Sequence, residues 1–395
     1  MLKQIEGSRA IAETVALCRP EVICAYPITP QTHIVEDLSE IVKAGQLGPC
    51  EFINVESEFA ALSVAIGASA AGARAYTATS SQGLLYMAEA LYNAAGLGLP
   101  IVMTLGTRAV GAPINIWNDH SDAMALRDAG WVQLFAESNQ EAADLHVLAF
   151  RLAEELSVPV MVCVDGFVLT HAFERVDVPE QAAVDAFLPP FKPRQVLDPA
   201  APITIGALVG PEAFTEVKYL AHRKLLRALE RIPALSAEWA ERFGRSSGGL
   251  VRPYRTEDAQ TVVVSLGSVN GTVQEVVDEL RAEKRAVGSL SVGTFRPFPF
   301  EAVRNALPRA QSIVVLEKNI SLGMGGVLAA DVREALAALA PPLHTVVAGL
   351  GGRAITRASI RRMVEAAQDG MLEDLTFLDL DQRALDVESA KDAQP

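Results

Sequence analysis

Three polar residues in the first third of the chain each follow an apolar run, where a buried strand would give way to a turn: Thr29, Glu58 and Arg108. Parallel sheets gather ligands outside the carboxyl ends of their strands, beside the N-termini of the helices that follow. Glu58 opens a helical stretch rich in Ala and Gly, residues 59–72. A carboxylate there is either a helix-end charge favoured by the dipole or a positioned acid/base, and its position alone leaves both readings open. Thr29 lies in Tyr26-Pro27-Ile28-Thr29-Pro30, where two prolines impose an extended turn that cannot join a helix before Pro30. Its hydroxyl is therefore free, or it caps the next helix. The fork of Arg108 suits a bound carboxylate, or else it serves a structural ion pair. Asp119-His120-Ser121-Asp122 invites a metal reading, but one His with two Asp in four residues is poor ligand geometry. A helix start with Asp119 or Ser121 as cap fits better. The four cysteines, Cys18, Cys24, Cys50 and Cys163, show no CxxC spacing and read as buried free thiols.

The scaffold around these residues alternates strand and helix. Apolar runs at 21–25, 52–55, 75–79, 100–105, 131–136 and 158–164 read as buried strands, separated by helical stretches at 7–17, 32–44, 59–72, 84–95 and 140–156. That pattern predicts an α/β fold with a doubly wound parallel sheet. Residues 109–124 have no clear period and suit a lid or pocket-lining loop. A proline-rich strap, 188–202, and a long helical stretch, 212–243, follow. A second βα series has strands at 261–266, 286–292, 312–317 and 343–348; its glycine turns match neither GxGxxG nor GxxxxGK[ST], so ordinary βα turns are expected. The expected division is 1–245 with strap and docking helix, a linker at 246–258, a smaller α/β domain at 259–380, and a frayed tail at 381–395.

Half of the 395 residues are hydrophobic and the net charge is −14, which disfavours nucleic acid or anionic membranes as main partners. Residues 90–107 carry no charge, but Asn93, Pro100 and the glycines at 96, 98 and 106 break the run, so no membrane span is expected. The first residues lack the apolar core of a signal peptide, and a cytoplasmic protein is expected.

Taken together, Tyr26-Pro27-Ile28-Thr29-Pro30, Glu56-Ser57-Glu58, Thr79-Ser80-Ser81-Gln82-Gly83, Arg108 and Asn118-Asp119-His120-Ser121-Asp122 resemble the alpha subunit of the 2-oxoacid:ferredoxin oxidoreductases, with the pyruvate enzymes as the most similar pattern. The segment 294–299 and its surroundings resemble the second domain of that subunit, similar to the C-terminal domain of transketolases. The resemblance implies a thiamine diphosphate enzyme in which this chain holds the aminopyrimidine. Glu58 matches the glutamate that hydrogen-bonds the pyrimidine nitrogen and promotes the imino form, which removes the thiazolium C2 proton. Thr29 and Arg108 match residues that contact the 2-oxoacid. Pro27 and Gln82 are placed beside the cofactor, and Ile28, Ile116 and Trp117 along the pocket.

The family's diphosphate and magnesium motif and its cysteine clusters are not found in the sequence. A beta subunit is therefore implied to bring the diphosphate and Mg2+ site and a [4Fe-4S] cluster. Gamma and delta subunits, or fusions, would bring further clusters and a path to ferredoxin or a similar acceptor. The implied reaction is oxidative decarboxylation: carbon dioxide leaves, electrons pass singly to iron–sulfur clusters, and coenzyme A takes the acyl group. Thr29 argues against oxalate, where relatives carry a basic residue, and no extra cation near residues 113–117 suggests 2-oxoglutarate. Phenylglyoxylate, indolepyruvate and branched-chain 2-oxoacids remain alternatives to pyruvate. So do a non-catalytic assembly subunit and a transketolase-like enzyme without redox chemistry.

Overall fold

A computed structural model describes residues 2–392. In chain order the first half comprises β1 (Leu2–Glu6), α1 (Gly7–Leu17), β2 (Val22–Ala25), α2 (Thr32–Lys43), β3 (Glu51–Asn54), α3 (Glu58–Ala70), β4 (Ala75–Thr79), α4 (Ser81–Tyr86), α5 (Ala88–Leu97) and β5 (Val102–Thr107). It continues with α6 (Ser121–Ala125), β6 (Val132–Phe135), α7 (Asn139–Leu156), β7 (Val160–Asp165), β8 (Phe173–Asp177), α8 (Gln181–Phe187), α9 (Phe214–Leu226) and α10 (Ala228–Phe243). The second series is β9 (Val251–Tyr254), β10 (Thr261–Ser265), α11 (Val269–Ala282), β11 (Val287–Val292), β12 (Thr294–Arg296), α12 (Phe300–Ala306), β13 (Ser312–Glu317), α13 (Val327–Ala335), β14 (Leu343–Val347), α14 (Arg357–Gln368), β15 (Leu375–Phe377) and α15 (Gln382–Asp392).

One sheet has the order β12-β6-β7-β5-β4-β2-β3 and the other β15-β14-β13-β10-β11-β9; β12 and β9 are the antiparallel strands at their edges. The strands in the middle of the first sheet, β4, β5 and β7, are buried at every residue. This is why they read as near-continuous apolar runs, as strands covered on both faces do. Helix α2 instead buries one stripe, Ile34, Val35, Leu38 and Ile41, at helical spacing.

Several expectations change. The run at 52–55 is not a buried strand: β3 pairs only with β2 and its residues are exposed or half-buried. The stretch 84–95 is two helices meeting at Met87, and 212–243 is also two. Of these, α10 buries Ile232, Leu235 and Trp239, whereas α9 buries nothing. The segment read as a linker contains β9, which extends the second sheet. The segment 294–296 crosses back to pair with β6. In the tail, 382–392 forms an exposed helix. Sequence patterning gave no sign of the small antiparallel β1–β8 ribbon, because its residues are mostly polar.

The two sheets share a core. Met103, Leu105, Met161 and Cys163 of the first pack in one cluster with Val262, Val264, Leu290 and Ile313 of the second. With β12 inserted in the first sheet, the two βα series are joined by apolar packing rather than by a linker alone. The cysteines are free, and Cys18, Cys24 and Cys163 are buried.

Candidate active site

Four neighbouring strands, β3, β2, β4 and β5, are parallel, so their carboxyl ends lie side by side. The sequence places Glu56-Ser57-Glu58, Tyr26–Pro30, Ser80–Gly83 and Arg108 at those four ends. Convergence of these motifs follows from strand order.

Glu58 is the first residue of α3 and is 8% exposed. Ser57, not Glu58, caps the helix, its hydroxyl accepting from the Ala60 N–H at 3.2 Å. The Glu58 carboxyl makes no hydrogen bond to any described residue and lies against Gly83. A Cβ built on Gly83 would stand 2.7 Å from Glu58 Oε1 and 2.6 Å from Thr79 Oγ1. Glycine is required there because the N-terminus of α4 approaches the carboxyl too closely for any side chain. Around this corner Gln31 Oε1, Thr79 Oγ1 and Ser80 Oγ are buried and lack hydrogen-bond partners. Buried polar groups are nearly always paired, because each orphan costs about 1–3 kcal/mol. Several in one corner, beside an uncommitted carboxyl, fit a polar ligand such as an aminopyrimidine, which both donates and accepts hydrogen bonds.

Arg108 is 5% exposed and forms no ion pair within 4 Å among the described residues. Its Nε donates to the Asn115 carbonyl at 3.0 Å, Nη1 to the Thr29 carbonyl at 2.8 Å, and Nη2 to Gln82 Oε1 at 3.4 Å. A guanidinium has five N–H donors. These bonds leave one on each terminal nitrogen without a described partner. Burial lowers the Arg108 pKa, with the Asp122 charge acting the other way. The structural-ion-pair reading of Arg108 therefore has no support in the geometry. Thr29 does not cap α2, whose N-cap is Gln31; its hydroxyl makes no hydrogen bond to the described residues. A chain of contacts thus runs Thr29–Arg108–Gln82, with Gln82 next to the Gly83 that meets Glu58. Of the remaining candidates, Ile28 is half-buried and Pro27 exposed. Ile116 and Trp117 are 42% and 50% exposed.

The loop after Arg108 is held by the second βα series. Asn115 Nδ2 donates to the Gly351 carbonyl at 3.2 Å, the Gly351 N–H donates to Asp119 Oδ2 at 3.1 Å, and Trp117 packs at a tilt against Phe167 with ring centroids 4.4 Å apart. In Asp119-His120-Ser121-Asp122 the four residues have separate tasks. Asp119 Oδ1 accepts from the Ser121 N–H and hydroxyl, supporting the helix start. Asp122 is fully buried; its Oδ2 accepts from the backbone N–H of Ser81 at 2.8 Å and of Arg108 at 3.0 Å. That carboxyl ties the start of α4 to the end of β5. Burial pushes it up to about 8, opposed by the backbone N–H groups of Ser81, Arg108 and Ala123.

His120 belongs to a different cluster. Asp165, at the end of β7, accepts from His120 Nε2 at 2.7 Å, Lys318 Nζ at 2.7 Å, and the backbone N–H and hydroxyl of Ser268. Lys318 also donates to Asn118 Oδ1 at 3.0 Å. Burial alone would raise the Asp165 pKa; the Lys318 and His120 charges outweigh it and hold the carboxyl well below its ordinary range. Gly267 approaches this carboxyl so closely that a Cβ would be 3.0 Å from both oxygens. The glycine loop before α13 likewise receives the chain's own Glu317, which accepts from the N–H groups of Val327, Leu328 and Ala329. Both glycine turns are filled by carboxylates of the chain.

Asp165 and Lys318 were missed from sequence, although the signal that exposed Arg108 applies to them. Asp165 ends the buried strand VMVCVD, and Lys318 follows IVVLE.

Comparison with known proteins gives a consistent result. Residues 13–236 match the family described as pyruvate flavodoxin/ferredoxin oxidoreductase, thiamine diphosphate-binding, and residues 259–360 match pyruvate:ferredoxin oxidoreductase core domain II. The chain is 47% identical over 390 residues to pyruvate synthase subunit PorA of Methanosarcina barkeri, covering 96% of this chain and 97% of that one. It is 43% identical to the subunit of that name from Pyrococcus furiosus, with 94% of each covered. It is 40% identical to ketoisovalerate oxidoreductase subunit VorA of Pyrococcus horikoshii, with 92% and 93% covered. Among solved structures, 2-oxoglutarate:ferredoxin oxidoreductase from Magnetococcus marinus, with 2-oxoglutarate, coenzyme A and succinyl-CoA bound, superposes with TM-score 0.70 at 20% identity over 93% of this chain and 65% of that one. A split gene transketolase, an inactive beta4 tetramer, superposes with TM-score 0.56 at 15% identity over 93% and 99%.

Proposed function

The chain belongs to the pyruvate:ferredoxin oxidoreductase family, and from that premise we propose that it is the pyrimidine-holding subunit of an enzyme that oxidatively decarboxylates pyruvate, forming acetyl-CoA. The observation that carries the reading is the Glu58 carboxyl, buried and without a hydrogen bond, beside three orphaned polar groups on β4, α2 and their edges. When bound, thiamine diphosphate supplies the carbon nucleophile that adds to the 2-oxo carbon and accepts the electron pair released with carbon dioxide.

The chain's own residues do the rest on this side of the site. Glu58 shares a proton with the pyrimidine ring nitrogen, a role that needs an acid kept from other partners. Gly83 clears the space in which that carboxyl lies. The free N–H groups of Arg108 pair with the substrate carboxylate, and Thr29 donates its hydroxyl to it. The Thr29 and Gln82 contacts hold the guanidinium in place, so little freedom is lost on binding. Gln82 and Pro27 border the cofactor; Ile28, Ile116 and Trp117 line the substrate pocket.

Partners complete the enzyme. The relatives are named as subunits, and helix α3, mostly apolar after Glu58, exposes Phe59 at 38% while neighbouring Tyr86 and Tyr92 are 62% and 51% exposed. Such a face on helices bordering the site suits a covering subunit. A beta subunit with the diphosphate and Mg2+ site and a [4Fe-4S] cluster covers it, and gamma and delta subunits or fusions carry electrons to ferredoxin. No described helix is long and apolar enough to cross a membrane; the assembly is cytoplasmic.

The test is to purify the native complex and follow coenzyme A-dependent reduction of a viologen dye with pyruvate, 2-oxoisovalerate, phenylglyoxylate, indolepyruvate and 2-oxoglutarate. Preference for pyruvate, lost in Glu58→Gln, is expected. Stronger activity on a branched or aromatic acid would overturn the substrate while keeping the chemistry. No activity on any of them, with cofactor and clusters present, would indicate a non-catalytic subunit.

A further inference from the structure

A second cavity lies away from this site. It has a volume of about 790 Å³ and is bounded by the end of α5, the turns leading into β5 and β7, the strap near Arg194, and α9. Cavities of a few hundred to about a thousand Å3 are the usual size of small-molecule sites. Gly98 and Pro100 precede β5, whereas Arg108 follows it. A strand of this length spans roughly 20 Å. The cavity is therefore at the amino ends of the strands, a sheet's height from Glu58, and belongs to a different site.

Its charge is opposite to that of the molecule. The chain has net charge −14, yet Arg194, Lys218, Arg223, Lys224 and Arg227 line this one cavity, with Asp128 as the only carboxylate. None of the five cations has a carboxylate within 4 Å among the described residues, although ion pairs are plentiful elsewhere. Lys224 is half-buried and donates to the Ser157 carbonyl at 2.7 Å. Its pKa is lowered by burial and by the charges of Arg194 and Arg227, so the cations repel one another across the cleft. A multivalent anion would relieve that repulsion, and guanidinium forks favour phosphate oxygens. Leu97, Leu99, Val158 and Phe191 supply an apolar floor, which inorganic phosphate would not use. Helix α9 buries none of its residues, so a ligand held between α9, the strap and the floor would fix this helix to the body.

We propose that this cleft binds a phosphorylated, nucleotide-sized organic anion. It is separate from the thiamine site and does not depend on the catalytic reading. The experiment uses the assembled complex, saturated with thiamine diphosphate so that the catalytic cofactor site is filled. ATP and inorganic pyrophosphate serve as probes, with equilibrium dialysis for affinity and hydrogen exchange of residues 214–226 as a local readout. ATP should bind more tightly than pyrophosphate and slow exchange in α9. The double variant Arg223→Ala/Arg227→Ala should weaken ATP binding at least tenfold.

A second variant guards against misfolding of the first. A Cβ on Gly96 meets nothing within 4 Å, so Gly96→Leu projects a side chain into the cavity without disturbing the helix that carries it. It should weaken ATP binding and keep the thermal midpoint. Equal affinity for ATP and pyrophosphate would overturn the organic-anion assignment. ATP binding that survives both variants would overturn the location. Binding to the separate chain but not to the complex would mean that a partner's segment occupies the cleft, and would overturn the proposal.

Discussion

Two clusters of buried polar groups stand at carboxyl ends of strands in the first sheet, and they are built on opposite terms. Around Asp165 the account is closed: the carboxylate meets Lys318, His120 and Ser268, and Lys318 is shared with Asn118. Around Glu58 it is open, with a buried carboxyl and the Thr79, Ser80 and Gln31 atoms lacking partners. A satisfied network fixes geometry and can contribute stability, whereas a half-satisfied one costs stability unless a ligand completes it. The comparison separates a group that holds the two βα series together from one whose polar atoms are left unpaired, as the proposed cofactor role requires.

Paired substitutions test that separation. Glu58→Gln should lower pyruvate-dependent dye reduction by about 100-fold or more, the usual range for a lost general acid/base group. Its unfolding free energy should stay within about 0.5 kcal/mol of wild type, because no structural bond is broken. Lys318→Met should behave in reverse. It leaves a buried carboxylate with only His120 and the Ser268 donors and without its Lys318 countercharge, and breaking a buried pair costs about 3–5 kcal/mol. Denaturant unfolding with both variants side by side checks the contrast. A stable Lys318→Met protein, or an unfolded Glu58→Gln one, would remove the distinction.

Arg108 lies between the two kinds. Three of its N–H groups are committed to structure, and two have no described partner, which is what the proposed substrate role would use. Arg108→Lys keeps the charge but loses the fork and the contacts to the Asn115 and Thr29 carbonyls. A hydrogen bond to a charged group contributes about 1.5–3 kcal/mol, so kcat/KM for pyruvate should fall about 10- to 100-fold. The loss should appear mainly in KM. A fall confined to kcat, with KM unchanged, would assign Arg108 to the reaction step instead.

How much of this was legible depends on what each residue answers to. Thr29, Glu58 and Arg108 were readable because each is a polar residue within a few positions of the end of an apolar run, a local signal. The orphaned hydroxyls of Thr79 and Ser80 lie in a quoted motif, but their lack of partners is a property of packing. The Asp165–Lys318 pair spans 153 positions of the chain. Each stands at the end of an apolar run, as Arg108 does, but nothing in one segment names its partner in the other. Strand β12 escaped for a similar reason: a three-residue crossing segment has no periodicity, and only the exposed edge of β6 gives it a place.

The effect that is smallest over any single pH unit concerns two buried aspartates with opposite displacements. Asp165 is held below its ordinary value of 3.8, so its contribution is fully present above that pH and is lost as pH falls through the depressed value. Asp122 is pushed up to about 8, mainly by burial, with Asp119 adding to the rise. The folded chain therefore keeps a proton on Asp122 that the unfolded chain releases above about 4. Folding stability should fall as pH rises from that point to about 8, with a slope of at most about 1.4 kcal/mol per pH unit for one proton. Glu317, raised to about 7 by burial, adds a slope of the same sign over the lower part of this window. Asp122→Asn removes the Asp122 share and leaves those of Glu317 and Asp165. Urea unfolding at half-unit steps from pH 4.5 to 8 should show a flatter dependence in the variant above pH 7, where Glu317 no longer contributes. If the wild type and Asp122→Asn lose stability in parallel between pH 7 and 8, Asp122 is ionised in the folded chain. The backbone N–H groups of Ser81 and Arg108 would then be holding a charge beside Arg108, and the site would carry one more negative group than this reading gives it.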